Sequence, residues 1–228
     1  GAKGDRFIFA KINLSPFQTL THACSTAYTC PNALRKEHPM EKDDLKNFIR
    51  KNCGDPAVGI ASVEDFTSKE IEDMEQSNRL MADYTPLISA DMPVLNPSEF
   101  MDGARAIIRV GYNAFFGRNH RLPGSPPHGE IINAFVNQEC VDYNAAQNEK
   151  IIAFLEKHGY TGLLMPAGIP QKILAARSGL GRYGKNALIQ APCKGSWLSL
   201  YAIFTDAPLE PDAPATDMCA DCEECRKA

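Results

Sequence analysis

Residues 170–190 read PQKILAARSGLGRYGKNALIQ, and the order of signals in this stretch separates two folds. Gly179-Leu180-Gly181-Arg182-Tyr183-Gly184 satisfies G-x-G-x-x-G, the dinucleotide fingerprint. That fingerprint needs a strand before the glycines and a helix after them, so that the pyrophosphate meets a helix N-terminus. Here the order is inverted. Residues 169–178 have helical spacing and residues 187–190 read as a strand, so a Rossmann site is not expected. Gly179 reads as a helix C-cap, and the later glycines as a tight turn that a ligand or a backbone approaches closely.

Working outward from that turn, residues 40–51 predict a helix with Leu45, Phe48 and Ile49 on one face. Residues 68–84 predict a second helix starting at Ser68. Residues 133–158 predict the longest, with a stripe of Val141, Ala145, Ile152 and Leu155 and a C-cap at Gly159. Strands are expected at 57–63, 104–112, 163–165 and 198–205, and a loop at 121–129, where three prolines and two glycines fall. Helices and strands alternate irregularly, which indicates α+β rather than a doubly wound sheet. Residues 1–40 read as an irregular N-terminal segment. Residues 206–217, DAPLEPDAPATD, read as an exposed linker.

The chain has 228 residues, of which 44% are hydrophobic and 23% charged, and a net charge of −4. No apolar run reaches the ~18 residues needed to span a bilayer, and collagen-like, coiled-coil and disordered classes fail on composition. The acidic balance leaves no broad electrostatic footprint for nucleic acid. With no secretory leader evident, a cytoplasmic protein is expected.

Of the eight cysteines, Cys219, Cys222 and Cys225 stand at C-x₂-C-x₂-C near the end of the chain. Short loops at that spacing can turn three sulfurs toward one iron–sulfur cube, and ferredoxin motifs continue with x₃-C-P. Here x₃ is Arg226, Lys227 and Ala228, after which the sequence stops, so the expectation is a chain cut inside such a motif. Zinc modules, the alternative, usually pair two ligands and then leave a longer gap. Cys24, Cys30, Cys53, Cys140 and Cys193 read as bystanders, the last three as small apolar fillers. His120 and His128 read as loop histidines, and Trp197 as a packing residue.

The motifs in their order resemble the superfamily of epoxyqueuosine reductases and reductive dehalogenases. The residues that carry the resemblance are Ala176–Ile189 with its GLGRYGKN, Gly195-Ser196-Trp197, the FTDAPLEPD of residues 204–212, and the cysteine run. Weaker echoes lie at residues 58–61, 104–109 and 154–160. The resemblance implies a nitroreductase-like, cobalamin-binding catalytic core over 41–205. It also implies, over 206–228, a linker and the start of a ferredoxin-like module that holds two [4Fe–4S] clusters in a full-length protein.

It further implies reductive cleavage of a C–O or C–halogen bond in a small-molecule substrate, with electrons from a donor such as ferredoxin or flavodoxin. The alternative on the same fold is a non-catalytic electron-transfer protein that binds cobalamin or flavin, with FMN as the alternative cofactor. Carried over by position, Cys219, Cys222 and Cys225 are cluster ligands. Gly179, Gly181, Gly184, Lys185, Gly195 and Ser196 are cofactor contacts. Tyr143, in the Asp142-Tyr143 pair, becomes a proton donor aided by Lys185. Tyr143 equally reads as a core or rim tyrosine, and Lys185 as half of an ion pair at a turn. Epoxyqueuosine reductases carry an aspartate in a DSAP segment, whereas residues 165–170 here, MPAGIP, have no acid. That departure and the net negative charge disfavour tRNA as a partner.

Overall fold

The computed structural model describes residues 40–72, 97–114, 138–165, 170–184, 188–215 and 221–223. Helix α1 (Lys42–Asn52) carries Asp43 and Asp44 in its first turn and Arg50 and Lys51 in its last, matching the helix dipole at both ends. Leu45 and Ile49, one turn apart, are fully buried. The chain reverses through Gly54 (φ +79°) and Asp55 (φ +51°) into β1 (Ala57–Ala61). Residues 68–72 begin the second expected helix, whose cap is Thr67 rather than Ser68. The Thr67 amide and hydroxyl donate to the Glu70 carboxylate, and the Glu70 amide donates back to Thr67 Oγ1, a reciprocal capping box.

A 3₁₀ turn at Pro97–Glu99 precedes β2 (Ala106–Asn113), of which seven residues are buried. Helix α2 (Gln138–Lys157) ends at Gly159 (φ +81°), where the Tyr160 amide reaches back to the Leu155 carbonyl at 3.0 Å. β3 (Gly162–Leu164), α3 (Gln171–Arg177), the short pair β4 (Arg182–Tyr183) and β5 (Ile189–Gln190), and β6 (Leu198–Thr205) follow. The main sheet runs β1-β2-β6-β3 with every neighbour antiparallel, and β4 and β5 form a separate two-stranded sheet. The fold is therefore a mixture of helices and antiparallel sheet.

Side-chain alternation along β2 divides the interior in two. Ala106, Ile108, Val110 and Tyr112 join Leu45 and Ile49 of α1 and Ile151 and Leu155 of α2 in one apolar cluster. Ile107 faces the other way, with Ile173 and Leu174 of α3, Ala202 and Phe204. The buried stripe of α2 differs from the expected one. Ala145 is exposed, and the inward line is Cys140, Asn144, Asn148, Ile151 and Leu155. Apolar periodicity passes over this line because two of its members are asparagines.

A larger difference concerns residues 206–215, expected as an exposed linker. Ala207 (0% exposed) and Leu209 (4%) belong to the α1 and α2 cluster, so this segment is docked along the fold. Cys193 and Trp197 also depart from expectation: both are exposed, and Cys193 adopts φ +60° in a turn. The irregular segment expected over 1–40 (Met40 apart), the expected loop at 121–129, and His120 and His128 lie outside the described residues. So do Lys185, Cys219 and Cys225.

Candidate functional site

The glycine turn begins where α3 stops. Ser178, fully buried, donates its hydroxyl to the Ala175 carbonyl at 3.0 Å and accepts the Leu180 amide at 3.3 Å. Gly179 then takes φ +67°, the left-handed position expected of a helix-ending glycine. Leu180 turns inward to Ala175, Ile189 and Ala191. Gly184 closes the turn, its amide donating to the Leu188 carbonyl at 2.8 Å. Helix before, strand after is thus the observed order around the G-x-G-x-x-G pattern.

The missing side chains at this turn leave room for the chain's own backbone. A Cβ at Gly179 would strike the Ala213 carbonyl, one at Gly181 would lie 2.6 Å from the Gln190 carbonyl oxygen, and one at Gly59 of β1 would strike the Ser178 carbonyl. At Gly181, one of the later glycines where a close approach was expected, the neighbour is the chain's own backbone; at the C-cap Gly179 it is too. Gly195 is different: it has φ +73° and open space where a Cβ would stand. It pairs with Ala191 just after β5, with half-buried Ser196 next to it.

Beneath the turn runs the segment that begins at the end of β6, Thr205-Asp206-Ala207-Pro208-Leu209-Glu210-Pro211-Asp212. Thr205 Oγ1 accepts the Ala207 amide, and Asp206 Oδ1 accepts the Thr161 amide at 2.7 Å. Asp212 is the anchor. Its amide donates to the Ile60 carbonyl at 2.9 Å, and its Oδ2 accepts the Ile60 amide at 2.8 Å. Lys46 also bonds Oδ2, and Lys42 reaches Oδ1 at 3.0 Å. Burial alone would raise the Asp212 pKa, but Lys46, Lys42 and the Ile60 amide together hold it below its ordinary value.

Tyr143 sits elsewhere, on the N-terminal half of α2, 38% exposed, with its hydroxyl over Gly54. Behind it lies a buried polar group that the sequence did not flag. Tyr112 donates to Asn148 Oδ1 at 2.9 Å, and Asn144 Nδ2 faces the Tyr201 hydroxyl at 3.4 Å. Asn144 Oδ1 and Asn148 Nδ2 have no hydrogen-bond partner among the described residues. Burial pushes the Tyr112 pKa strongly upward, with Cys53, Tyr201 and Tyr143 adding to the effect. On the opposite face of β2, Arg109 is fully buried. It donates to Gln171 Oε1 at 2.6 Å and to the Gln171 carbonyl at 2.9 Å, while its Nε has no partner among the described residues. Burial lowers its pKa to about 9, so it stays charged at neutral pH. Its place among Ile107, Ile108 and Val110 in an apolar strand was the sequence signal for it.

Of the cysteine run, Cys222 is described; it is exposed and not in a disulfide. A surface cleft of about 370 Å³ between Met40–Asp43 and Pro208–Glu210 is lined by none of the expected site residues. No group of three or more metal-binding side chains occurs among the described residues. Among them, too, no helix is long and apolar enough to cross a membrane.

No protein-family model matches the sequence. Epoxyqueuosine reductase from Synechocystis sp. is 30% identical over 187 residues, which cover 75% of this chain and 60% of that protein. The chain is homologous to the epoxyqueuosine reductases. The enzyme of the same name from Xanthomonas campestris is 36% identical over 138 residues, covering 57% of this chain and 38% of its own length. In Listeria monocytogenes a 55-residue stretch of epoxyqueuosine reductase reaches 47% identity. Among solved structures, epoxyqueuosine reductase crystallised with a tRNA-Tyr epoxyqueuosine-modified stem loop superposes with a TM-score of 0.56 at 21% identity. That match covers 82% of this chain and 51% of the other. A Bacillus subtilis epoxyqueuosine reductase structure, with its catalytic aspartate loop swung out of the active site, gives a TM-score of 0.55 over the same share of this chain. The chain spans about half the length of these structures and 60% of the Synechocystis relative.

Proposed function

We propose that this chain forms the core of an epoxyqueuosine reductase-like oxidoreductase, acting on an epoxide carried by a tRNA nucleoside. The observation that carries this reading is the 30% identity to such an enzyme across 75% of the chain. The packing of the glycine turn on the segment that leads to the cysteine run supports it. Tyrosine tRNA, disfavoured from the sequence, enters because a structural neighbour is described with an epoxyqueuosine-modified stem loop. The relatives reported favour C–O over C–halogen cleavage, and they give FMN no support.

The reaction removes the epoxide oxygen as water and leaves an alkene, consuming two electrons and two protons. An iron–sulfur cluster would supply the electrons singly. The donor chemistry of the tail fits it: soft thiolates at x₂ spacing, with Cys222 exposed. Cobalamin is carried by the resemblance. Of the residues expected to contact it, Gly179 and Gly181 lie against the chain's own backbone, Gly195 has open space beside Ser196, and Lys185 lies outside the described residues. No step is assigned through that group. Tyr143 remains the candidate proton donor, being 38% exposed on α2.

The test is anaerobic reconstitution of the chain with iron, sulfide and cobalamin, followed by incubation with epoxyqueuosine-bearing tRNA and a reductant. Mass spectrometry of the digested tRNA should show loss of one oxygen atom. Iron bound without such turnover would favour the electron-transfer alternative. No iron bound at all would remove the cysteine run as a cluster site, and loss of no oxygen from the tRNA would remove the reading.

A further inference from the structure

The turn that ends α1 is tied down at several points. Gly54 takes φ +79° and Asp55 φ +51°, Pro56 follows, and the Asp55 amide donates to the Arg50 carbonyl at 3.1 Å. Three residues of α2 meet this turn: Tyr143, Gln147 and Lys150, spaced i, i+4 and i+7 along one face. The buried Cys53 thiol donates to the Gln147 carbonyl at 3.7 Å, and Lys150 Nζ donates to the Asn52 carbonyl at 3.4 Å. The Tyr143 phenol completes the set. Its hydroxyl lies where a Cβ on Gly54 would stand, with Cζ 3.5 Å and Cε1 3.9 Å from that position. Asp55 in turn pairs with Lys194, the neighbour of Gly195, so the same turn meets both Tyr143 and the β5–β6 connection.

Backbone conformation alone does not call for glycine at 54. Asp55 beside it holds a left-handed φ with a full side chain, as aspartate and asparagine can. What a side chain at 54 could not share is the space that the phenol fills. We infer that Gly54 is the positioning residue for Tyr143: the space beside its Cα seats the phenol hydroxyl and sets where that hydroxyl presents its proton. The inference rests on the proposal that Tyr143 is the proton donor. Proton transfer needs donor and acceptor atoms within ~2.6–3.2 Å, so a phenol seated on a braced turn transfers better than one that samples many positions.

Gly54→Asn tests this in the full chain, because asparagine tolerates the left-handed φ and leaves the clash with the phenol as the main change. Its crystal structure should show α2 in place and the Tyr143 phenol swung off the turn. A phenol that has not moved overturns the inference alone. In the anaerobic assay with epoxyqueuosine-bearing tRNA, Gly54→Asn should lower kcat ~10- to 100-fold with KM for the tRNA unchanged. Tyr143→Phe should lower kcat at least as far, and adding Gly54→Asn to it should lower it no further, since both changes act through one hydroxyl. Effects that multiply would show that Gly54 acts by another route and would overturn the inference. If Tyr143→Phe turns over as fast as wild type, or wild type does not turn over at all, the underlying reading fails and this inference with it, whether or not the phenol moves. If Gly54→Asn does not fold, the added Tyr143→Phe change should restore folding by removing the obstructing oxygen; a double variant that stays unfolded overturns the inference.

Discussion

On one face of β2, Ile108 and Val110 meet Leu45, Ile49, Ile151 and Leu155 in an apolar cluster. On the other face, one residue along the same strand, Arg109 is equally buried but carries a charge. Its bonds run to the Gln171 side chain and carbonyl, both neutral. Both faces exclude water, but Ile108 and Val110 gain from burial, whereas Arg109 pays a desolvation cost that, among the described residues, is offset by neutral hydrogen bonds. The contrast assigns different work to the two faces. The apolar face holds the two long helices. The charged face ties β2 to the first residue of α3, the helix that ends in the glycine turn.

Three changes test that contrast. Ile108→Ala should have the largest effect, a loss of ~2–5 kcal/mol in urea unfolding, because it empties a site that α1, α2 and the sheet together enclose. A smaller loss would mean that the apolar face is loosely packed and that the two faces are alike. Next, Gln171→Glu should raise the unfolding midpoint, by ~1–3 kcal/mol, since it offers the buried guanidinium a carboxylate where it now has a neutral amide. A lower midpoint would show that Arg109 is already satisfied.

The smallest change concerns Asp212. The Asp212 carboxyl is held below its ordinary value of 3.8, so the unfolded chain takes up this proton first as pH falls. Its contribution is complete above about pH 4 and is lost as pH drops through the folded value. Asp212→Asn should therefore cost ~1–2 kcal/mol at neutral pH and flatten the acid limb of the stability curve. An acid limb identical to wild type would assign that limb to other carboxylates. Glu70 is the first to consider, being held below its ordinary value by Arg177 and Thr67.

Much of the backbone was legible in the sequence. The bounds of β6 match those expected, and the left-handed glycines at 159 and 179 end helices as their positions indicated. The α1 face with Leu45 and Ile49 was read from spacing, as was the helix-then-strand order around the G-x-G-x-x-G pattern. The misses share one cause. Asn144 and Asn148 point into the core, Ala207 and Leu209 lie under a proline-rich stretch, and Cys193 is exposed in a turn. Composition assigned each of these residues by its type. Their burial is decided by partners far away in the chain: Tyr112 for Asn148, and the α1 cluster for Leu209. The candidate site divides in the same way. Its thiol spacing and its glycines were readable, whereas residues 206–213, which pack on the core and against Gly179, were taken for a linker.

The sequence by itself determined what local sterics and local chemistry control. It set where a residue without Cβ must end a helix, where alternation makes a strand, and which thiols stand at iron–sulfur spacing. Tertiary structure alone decided what occupies the space those glycines leave, which cations surround Asp212, and that Arg109 spends its charge on a neutral partner. The physical reason is range. Dihedral preference and ligand spacing act within a few residues. Desolvation and ion pairing depend on groups such as Asp212 and Lys46, 166 residues apart, which only folding brings together.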